Sequence, residues 1–255
     1  MGSSGVSHSR HSCSLLGLFA PKQVALAECS EVQMNRNHEV TRRGGFSLTE
    51  IAITLAIVAV AIAIAVPSLN RASQNGDLRD GALALDGGLT GTRGEAIRTG
   101  DVHLFFVFQD AEGNALVDQN GDTVPALMLN DGPPGSPGQN CRIDAGETVK
   151  ALKKTDLAGM IGGPPGGSQA GGDLGMGVVG GGSSFVDPAG NPATWIMFRP
   201  EGMPVAFDSN CNLGAAGSGA GAFYMKNADR AYVVMLSPMG TTRIEVFNHT
   251  TGGWE

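Results

Sequence analysis

A single carboxylate, Glu50, lies near the start of the longest apolar stretch of the chain, residues 46–66. The stretch reads FSLTEIAITLAIVAVAIAIAV and contains no cationic side chain. A charge at the centre of a membrane-spanning helix costs about 3 kcal/mol on insertion scales. In low dielectric a carboxylate is strongly stabilised only by a well-matched cation. Any interpretation of this segment must therefore account for a carboxylate that has no cation in its own apolar stretch.

The apolar stretch is long enough to cross a membrane, since its length corresponds to about 30 Å of α-helix. Arg42 and Arg43 precede it, which favours a cytoplasmic N-terminal side. Two other interpretations are a buried core helix, which usually has a polar face, and a cleaved secretory signal. Ala63 and Ala65 resemble an A-x-A cleavage site, and the arginine pair resembles a twin-arginine signal. Glu50 would be unpaired inside such a signal, which argues against it.

The junction RRGGFSLTE resembles the leader junction of type IV prepilins and pseudopilins. The resemblance implies cleavage after Gly45 by a prepilin peptidase, and methylation of the new N-terminal residue, Phe46, by the same enzyme. Glu50 and Pro67 then occupy mature positions 5 and 22, as is typical of the family. Glu50 is implied to pair with the terminal amine of a neighbouring subunit, which would favour the correct axial register during assembly.

The resemblance further implies a membrane-anchored structural subunit of a type IV pilus or a type II secretion pseudopilus. Its partners would be other pilins through the N-terminal helix, the peptidase and the inner membrane. Its C-terminal domain would lie in the periplasm or at the cell surface. The sequence leaves open which filament the subunit serves and where in the filament it lies, and a DNA-binding minor pilin is the alternative function.

Residues 1–45 form the predicted leader, which is long for this family. Met34 offers a shorter start, MNRNHEVTRRGG, whose length is ordinary for a prepilin leader. We expect translation to begin at Met34.

The chain predicts an α+β fold, in which a long N-terminal helix over residues 46–99 packs on an antiparallel β-sheet domain, residues 100–255. Leu78, Ala82, Leu85 and Leu89 have helical spacing and form the expected docking face. Apolar segments without intervening helical patterns favour antiparallel strands. These segments are residues 102–108, 193–198, 221–226, 230–237 and 242–247.

Two of these regions also resemble GspH/FimT-like minor pilins. The ending RAYVVMLSPMGTTRIEV contains an S-P-x-G turn between two strands, and Ser237, Pro238 and Gly240 suit a tight turn. The segment WIMFRPEGMPVAF matches an F-x-P-x-G pattern of that group.

A glycine-rich stretch, residues 162–182, contains the pattern G-x-G-x-x-G at Gly175, Gly177 and Gly180. A dinucleotide site of this pattern needs a preceding strand and a following helix, and the sequence predicts neither. Because ordering many glycines is entropically costly, we expect a mobile surface loop.

Asp118, Asn120 and Asp122 have the spacing of a calcium-binding loop. Thr123 and Leu129 occupy the positions of the loop glycine and the bidentate glutamate, so a β-hairpin turn is favoured and calcium binding stays open. The sequence has no nucleophile elbow, zinc-protease motif or P-loop. We therefore expect no enzymatic activity and no cofactor, and no metal apart from the open question of calcium at Asp118, Asn120 and Asp122.

Cys141 and Cys211 are the cysteines that follow the predicted cleavage site, while Cys13 and Cys29 precede it. The compartment outside the inner membrane is oxidising, which favours a disulfide between Cys141 and Cys211. Such a bond would close a loop of about 70 residues and stabilise the fold by about 4 kcal/mol. Two separate thiols are the alternative.

The cleaved chain is acidic. Five of the 17 basic residues and three of the 24 acidic residues lie in the leader, which leaves a formal net charge of −9. Affinity for nucleic acid depends on neutralising phosphates, and the tight basic cluster comprises Lys150, Lys153 and Lys154, with Arg142 nearby in sequence. We expect no nucleic-acid binding.

Overall fold

The computed structural model describes residues 45–144, 147, 149–152, 157, 161–175 and 181–255. The described residues belong to two units, 45–51 and 52–255. The fold is α+β, with one long helix, α1 (Leu48–Thr99), followed by short strands. The strands are β1 (His103–Val107), β2 (Ala126–Asn130), β3 (Val149–Ala151), β4 (Trp195–Phe198), β5 (Pro204–Val205), β6 (Gly221–Lys226), β7 (Ala231–Leu236), β8 (Thr242–Asn248) and β9 (Gly253–Trp254).

Helix α1 begins two residues after the predicted start and ends at the predicted residue, Thr99. All residues from 45 to 74 are exposed. Among the described residues, α1 is the helix that is long and apolar enough to span a membrane by length and composition. Pro67 lies inside the helix and, lacking an N–H, omits one helical hydrogen bond without ending it.

The predicted docking face of α1 is confirmed: Leu78, Ala82, Leu85 and Leu89 are all buried. Two glycines, Gly81 and Gly88, are buried on the same part of the helix. A β-carbon added at Gly88 would lie 2.6 Å from Cε2 of Phe105 on β1, and one at Gly81 would lie 2.7 Å from Cε of Met225 on β6. These glycines therefore let α1 approach the strands more closely than any side chain would allow.

The strands form two antiparallel sheets, in agreement with the predicted antiparallel β-sheet domain, for which the sequence left the number of sheets open. The first has the order β3-β2-β1-β4-β5 and the second has the order β6-β7-β8-β9. Strands β3, β5 and β9 were not predicted, because each has only two or three residues, and β2 was implied only as the second strand of the hairpin around residues 118–122. The tight turn predicted at Ser237 and Gly240 joins β7 to β8, with the Gly240 N–H donating to the Ser237 carbonyl at 2.9 Å.

The first sheet is buried on both faces, which explains the continuous apolar run in β1. Phe105 faces α1, and its chain neighbours Leu104 and Phe106 point to the opposite face because side chains alternate along a strand. On that opposite face Phe106 packs edge-on against Phe207, with ring centroids 6.1 Å apart. The indole N–H of Trp195 donates to the Phe207 carbonyl at 2.9 Å, so the chain after β5 covers this face.

Residues 161–175, here called the glycine-rich strap, first pair with the edge of β6 at Ile161 and Gly162 and then cover the outer face of the second sheet over residues 168–173. Tyr224 of β6 donates its hydroxyl hydrogen to Asp173 at 2.7 Å, and Trp254 of β9 donates to the Ser168 carbonyl at 2.8 Å. Ala170 is buried against this sheet. The described part of the predicted glycine-rich loop is thus anchored by long-range hydrogen bonds. Gly177 and Gly180 lie outside the described residues.

Arg93 of α1 joins the helix to a turn from each sheet. Its Nε donates to the carbonyl of Gly202, in the turn between β4 and β5, at 3.1 Å. Gly240, in the turn between β7 and β8, has φ +79°, and a β-carbon there would collide with the carbonyl oxygen of Gly202. The glycines of the R-P-E-G and S-P-M-G segments are therefore required where the two turns meet Arg93.

Two adjacent glycines on α1 provide a matched test of the close helix–sheet contact. Gly88→Ala should lower the free energy of unfolding by about 1–3 kcal/mol, because its methyl group overpacks against the buried ring of Phe105. Gly87→Ala, at an exposed position with no neighbouring atom within 4 Å, should raise it by up to about 1 kcal/mol. Denaturant unfolding in detergent, followed by tryptophan fluorescence, measures both. Equal effects of the two substitutions would contradict the proposed contact.

Candidate processing and assembly site

The predicted cleavage junction precedes the first turn of α1. Gly45, Phe46 and Ser47 have no regular secondary structure, and Phe46 is 79% exposed. The Ser47 carbonyl accepts the N–H of Glu50 at 3.0 Å and the N–H of Ile51 at 3.1 Å, which starts the helix. The Gly45–Phe46 peptide bond therefore lies in exposed, non-helical chain.

Glu50 lies in the first turn of α1 and is exposed. The segment Ser47–Leu48–Thr49–Glu50 has the S-x-x-E pattern of a capping box, a signal that the sequence analysis did not use. Ser47 Oγ lies 2.7 Å from Thr49 Oγ1. A carboxylate in this turn is also favoured by the helix dipole. Within the described residues Glu50 forms no ion pair.

Cys141 and Cys211 form a disulfide, with their Cα atoms 5.3 Å apart. Cys141 follows β2 and is 1% exposed, whereas Cys211 follows β5 and is half-buried. The disulfide therefore joins two segments that cover the first sheet on the face away from α1.

Cys211 belongs to a turn that occurs four times among the described residues, at 110–114, 118–122, 187–191 and 208–212. In each turn the N–H of the first residue, an aspartate, donates to the carbonyl of the fifth residue, at 2.8–3.2 Å. The Oδ1 atom of this aspartate accepts hydrogen bonds from the N–H groups of the third and fifth residues, at 2.8–3.0 Å. The pattern is readable from the sequence as DAEGN, DQNGD, DPAGN and DSNCN.

Cys211 replaces glycine at the fourth position of this turn. Gly113, Gly121 and Gly190 have φ between +87° and +88° there, and Cys211 has φ +59°. Its disulfide partner Cys141 also has positive φ, +61°. Left-handed backbone costs roughly 1–2 kcal/mol for residues other than glycine. The disulfide therefore closes between two residues with strained backbone.

Asp118, Asn120 and Asp122, whose spacing resembles that of a calcium-binding loop, belong to one of these turns, residues 118–122. Both carboxylate oxygens of Asp118 are used within the turn, because Oδ1 accepts two backbone N–H groups and Oδ2 accepts Nδ2 of Asn120 at 3.2 Å. Hydrogen bonding, first from the Asp122 N–H, holds the pKa of Asp118 below its usual value. Strands β1 and β2 pair on either side, so the hairpin interpretation accounts for this spacing.

Asp131 is a buried carboxylate that the sequence analysis did not identify. It directly follows β2, is 1% exposed, and accepts N–H groups from Asn140 at 3.2 Å and from Cys141 at 3.2–3.3 Å. Its carboxylate oxygen and the two disulfide sulfurs lie within 4.8 Å of one another. Burial raises the pKa of Asp131 to about 6, despite these hydrogen bonds.

One of the basic residues singled out from the sequence, Arg142, adjoins the disulfide, and its guanidinium donates to the Ser209 carbonyl at 3.4 Å. Lys150 is exposed on β3, Lys153 and Lys154 lie outside the described residues, and the Arg142 guanidinium pairs with Glu112 at 2.7 Å. The two described histidines, His103 and His249, have packing contacts. His103 is buried on β1, where burial lowers its pKa, and His249 packs edge-on against Phe247 at 5.1 Å.

No family model matches the chain, and comparison with curated proteins and with solved structures finds no significant match.

The strained position of Cys211 can be tested without the disulfide. In a Cys141→Ala background, the Cys211→Gly variant should have a free energy of unfolding about 1 kcal/mol higher than the Cys211→Ala variant, because glycine adopts positive φ without a clash. The equivalent position of another turn provides the control. Gly190→Ala, at φ +88° with no atom within 4 Å, should destabilise by a similar amount. Denaturant unfolding measures both, and a more stable alanine at 211 would contradict the strain.

Proposed function

We propose that this chain is a minor pilin or pseudopilin, a membrane-anchored subunit that assembles into or initiates a type IV pilus or a type II secretion pseudopilus. The observation that carries the proposal is the contiguous segment GGFSLTE, placed so that α1 begins two residues after the predicted cut. Cleavage after Gly45 would leave a chain whose N-terminal amine is near the start of a long apolar helix.

Glu50 supplies the recognition element of this proposal. It is exposed and forms no ion pair within the described residues. The amine on Phe46 of a neighbouring subunit is a cation that matches it. In the apolar interior of a filament, an ionic pair with one partner missing is strongly destabilising, commonly by 3–5 kcal/mol. A misplaced subunit would leave both charges unpaired, so the pair selects the axial position of each subunit.

The two halves of α1 have separate roles in this proposal. The docking face from Leu78 to Ala96 is occupied by the two sheets of the same chain. Residues 52–74 are exposed and predominantly apolar. They suit insertion in the membrane before assembly, and packing against neighbouring subunits after it. The Cys141–Cys211 disulfide is consistent with a domain on the oxidising side of the inner membrane.

The processing step gives the first test of this function. In a host that carries a prepilin peptidase, the mature chain should begin at an N-methylated Phe46, and intact mass spectrometry measures this. A Gly45→Val variant should keep its leader, because a bulky side chain replaces the glycine of the cleavage site. A mature chain that begins at Ser68 or nearby would instead indicate an ordinary signal peptide and would refute the proposal.

The role of Glu50 gives the second test. Glu50→Val and Glu50→Gln should both insert into the membrane, since each removes a charge from an apolar helix, and both should be depleted from sheared filaments. Glutamine can still accept a hydrogen bond from the N–H groups of the helix N-terminus. Depletion of Glu50→Gln from the filaments would therefore point to the lost charge rather than to lost capping. Asp80→Asn, an exposed charge removal later in α1, is the control and should assemble normally. Normal incorporation of Glu50→Gln would exclude the pairing.

A further inference from the structure

The disulfide has two unequal ends. Cys141 is 1% exposed and packs in the main core, whereas Cys211 is half-buried in a surface turn. In the reduced protein, a dissolved oxidant of the disulfide class can therefore reach Cys211 more readily than Cys141. The order of bond formation follows from this difference, because Cys211 reacts first with the external disulfide and Cys141 must then complete the exchange.

The second step requires Cys141 to lose a proton in a buried place. The thiolate, rather than the thiol, attacks a disulfide, and burial in apolar surroundings raises the pKa of a thiol. Asp131 is the carboxylate placed beside this sulfur: it is buried, it is held by the Cys141 N–H, and its oxygen lies within 4.8 Å of both sulfurs. Once the disulfide is open, a rotation about the Cα–Cβ bond of Cys141, or one intervening water, would bring the thiol and the carboxylate into hydrogen-bond contact.

No cation neutralises this carboxylate among the described residues. Its hydrogen-bond donors are the N–H groups of Asn140 and Cys141, and no described Lys or Arg forms an ion pair with it. The charged groups that raise its pKa, Asp144 and Glu147, are both acidic, and Arg142, the residue after Cys141, pairs with Glu112 instead. An unpaired buried carboxylate is costly to the fold and well suited to accept a proton.

We propose that Asp131 is the proton acceptor that allows buried Cys141 to close the disulfide after Cys211 has reacted with an external disulfide. In the first step the Cys211 thiolate attacks that disulfide, forming a mixed disulfide and releasing one thiolate. In the second step the Cys141 thiol gives its proton to Asp131, and its sulfur attacks the Cys211 sulfur. The bond to the oxidant breaks and a second thiolate leaves. The two cysteines are oxidised by two electrons, and the external disulfide is reduced to two thiols.

The test uses the full chain with Cys13→Ser and Cys29→Ser, reduced in detergent, freed of reductant and mixed with glutathione disulfide at pH 7. Samples are quenched with acid, alkylated and analysed by mass spectrometry. The reference protein should close without accumulating mixed disulfide. Asp131→Asn should accumulate glutathione on Cys211 and close about 100-fold more slowly, the scale of general-base assistance. Asp187→Asn, which changes a carboxylate in a turn without cysteine, should close at the reference rate.

The pH profile separates proton transfer from a structural role of Asp131. Because burial holds the pKa of the Cys141 thiol above the ordinary value of about 8.5, the closure rate of Asp131→Asn should rise with each pH unit from 7 to 10 as more thiolate forms, and it should approach the reference rate. A ratio of the two rates that stays constant over this range would mean that Asp131 acts by holding the loop, and would overturn the proposal. Equal closure rates at pH 7 would also overturn it. So would equal reactivity of Cys141 and Cys211 in the single-cysteine variants Cys211→Ser and Cys141→Ser, because the order of reaction requires Cys211 to react first.

Discussion

The contact between Gly88 of α1 and the ring of Phe105 sets the spacing on which the rest of the domain depends. A β-carbon at this glycine would lie 2.6 Å from the ring, and Gly81 has a similar relation to Met225 on the second sheet. The helix can therefore lie close to both sheets, and their facing side chains join it in one core. Because interiors are close-packed, a shift of the helix by even a methyl group would disturb all three elements.

The outer faces of the two sheets are covered in different ways. Short turns with aspartate at the first position, together with the disulfide, close the segments over the first sheet. The glycine-rich strap covers the second sheet and is held by Tyr224 and Trp254. The chain has 39 glycines and few aromatic residues, and its coverage relies on tight backbone turns more than on large side chains. This architecture explains how an irregular sequence buries both faces of short strands.

Local patterns in the sequence predicted the helix, its buried face and five strands, because periodic apolar spacing and long apolar runs are properties of neighbouring residues. Strands β3, β5 and β9 were missed because such short segments are defined by their pairing partners, and β2 was implied only by the hairpin interpretation. The glycine-rich strap was expected to be mobile because of its glycine content. The hydrogen bond from Tyr224 to Asp173 that anchors it joins residues far apart in the chain, and no local pattern indicates it. The candidate processing segment, Gly45 to Glu50, is contiguous and could be read directly. The burial of Asp131 beside the cysteines depends on segments far apart in the chain.

The junction at Arg93 has a mechanical consequence. Its guanidinium binds the Gly202 carbonyl, and the Gly240 turn packs against both, so one helical residue contacts the turns that end β4 and β7. Tension applied along the axis of α1 would reach the two sheets through the buried positions Gly81 and Gly88, and Arg93 would add a further point, later in the helix, at which both sheets bear the load. Loading at several points divides the force between the two sheets. The domain would therefore resist being pulled apart by its own helix.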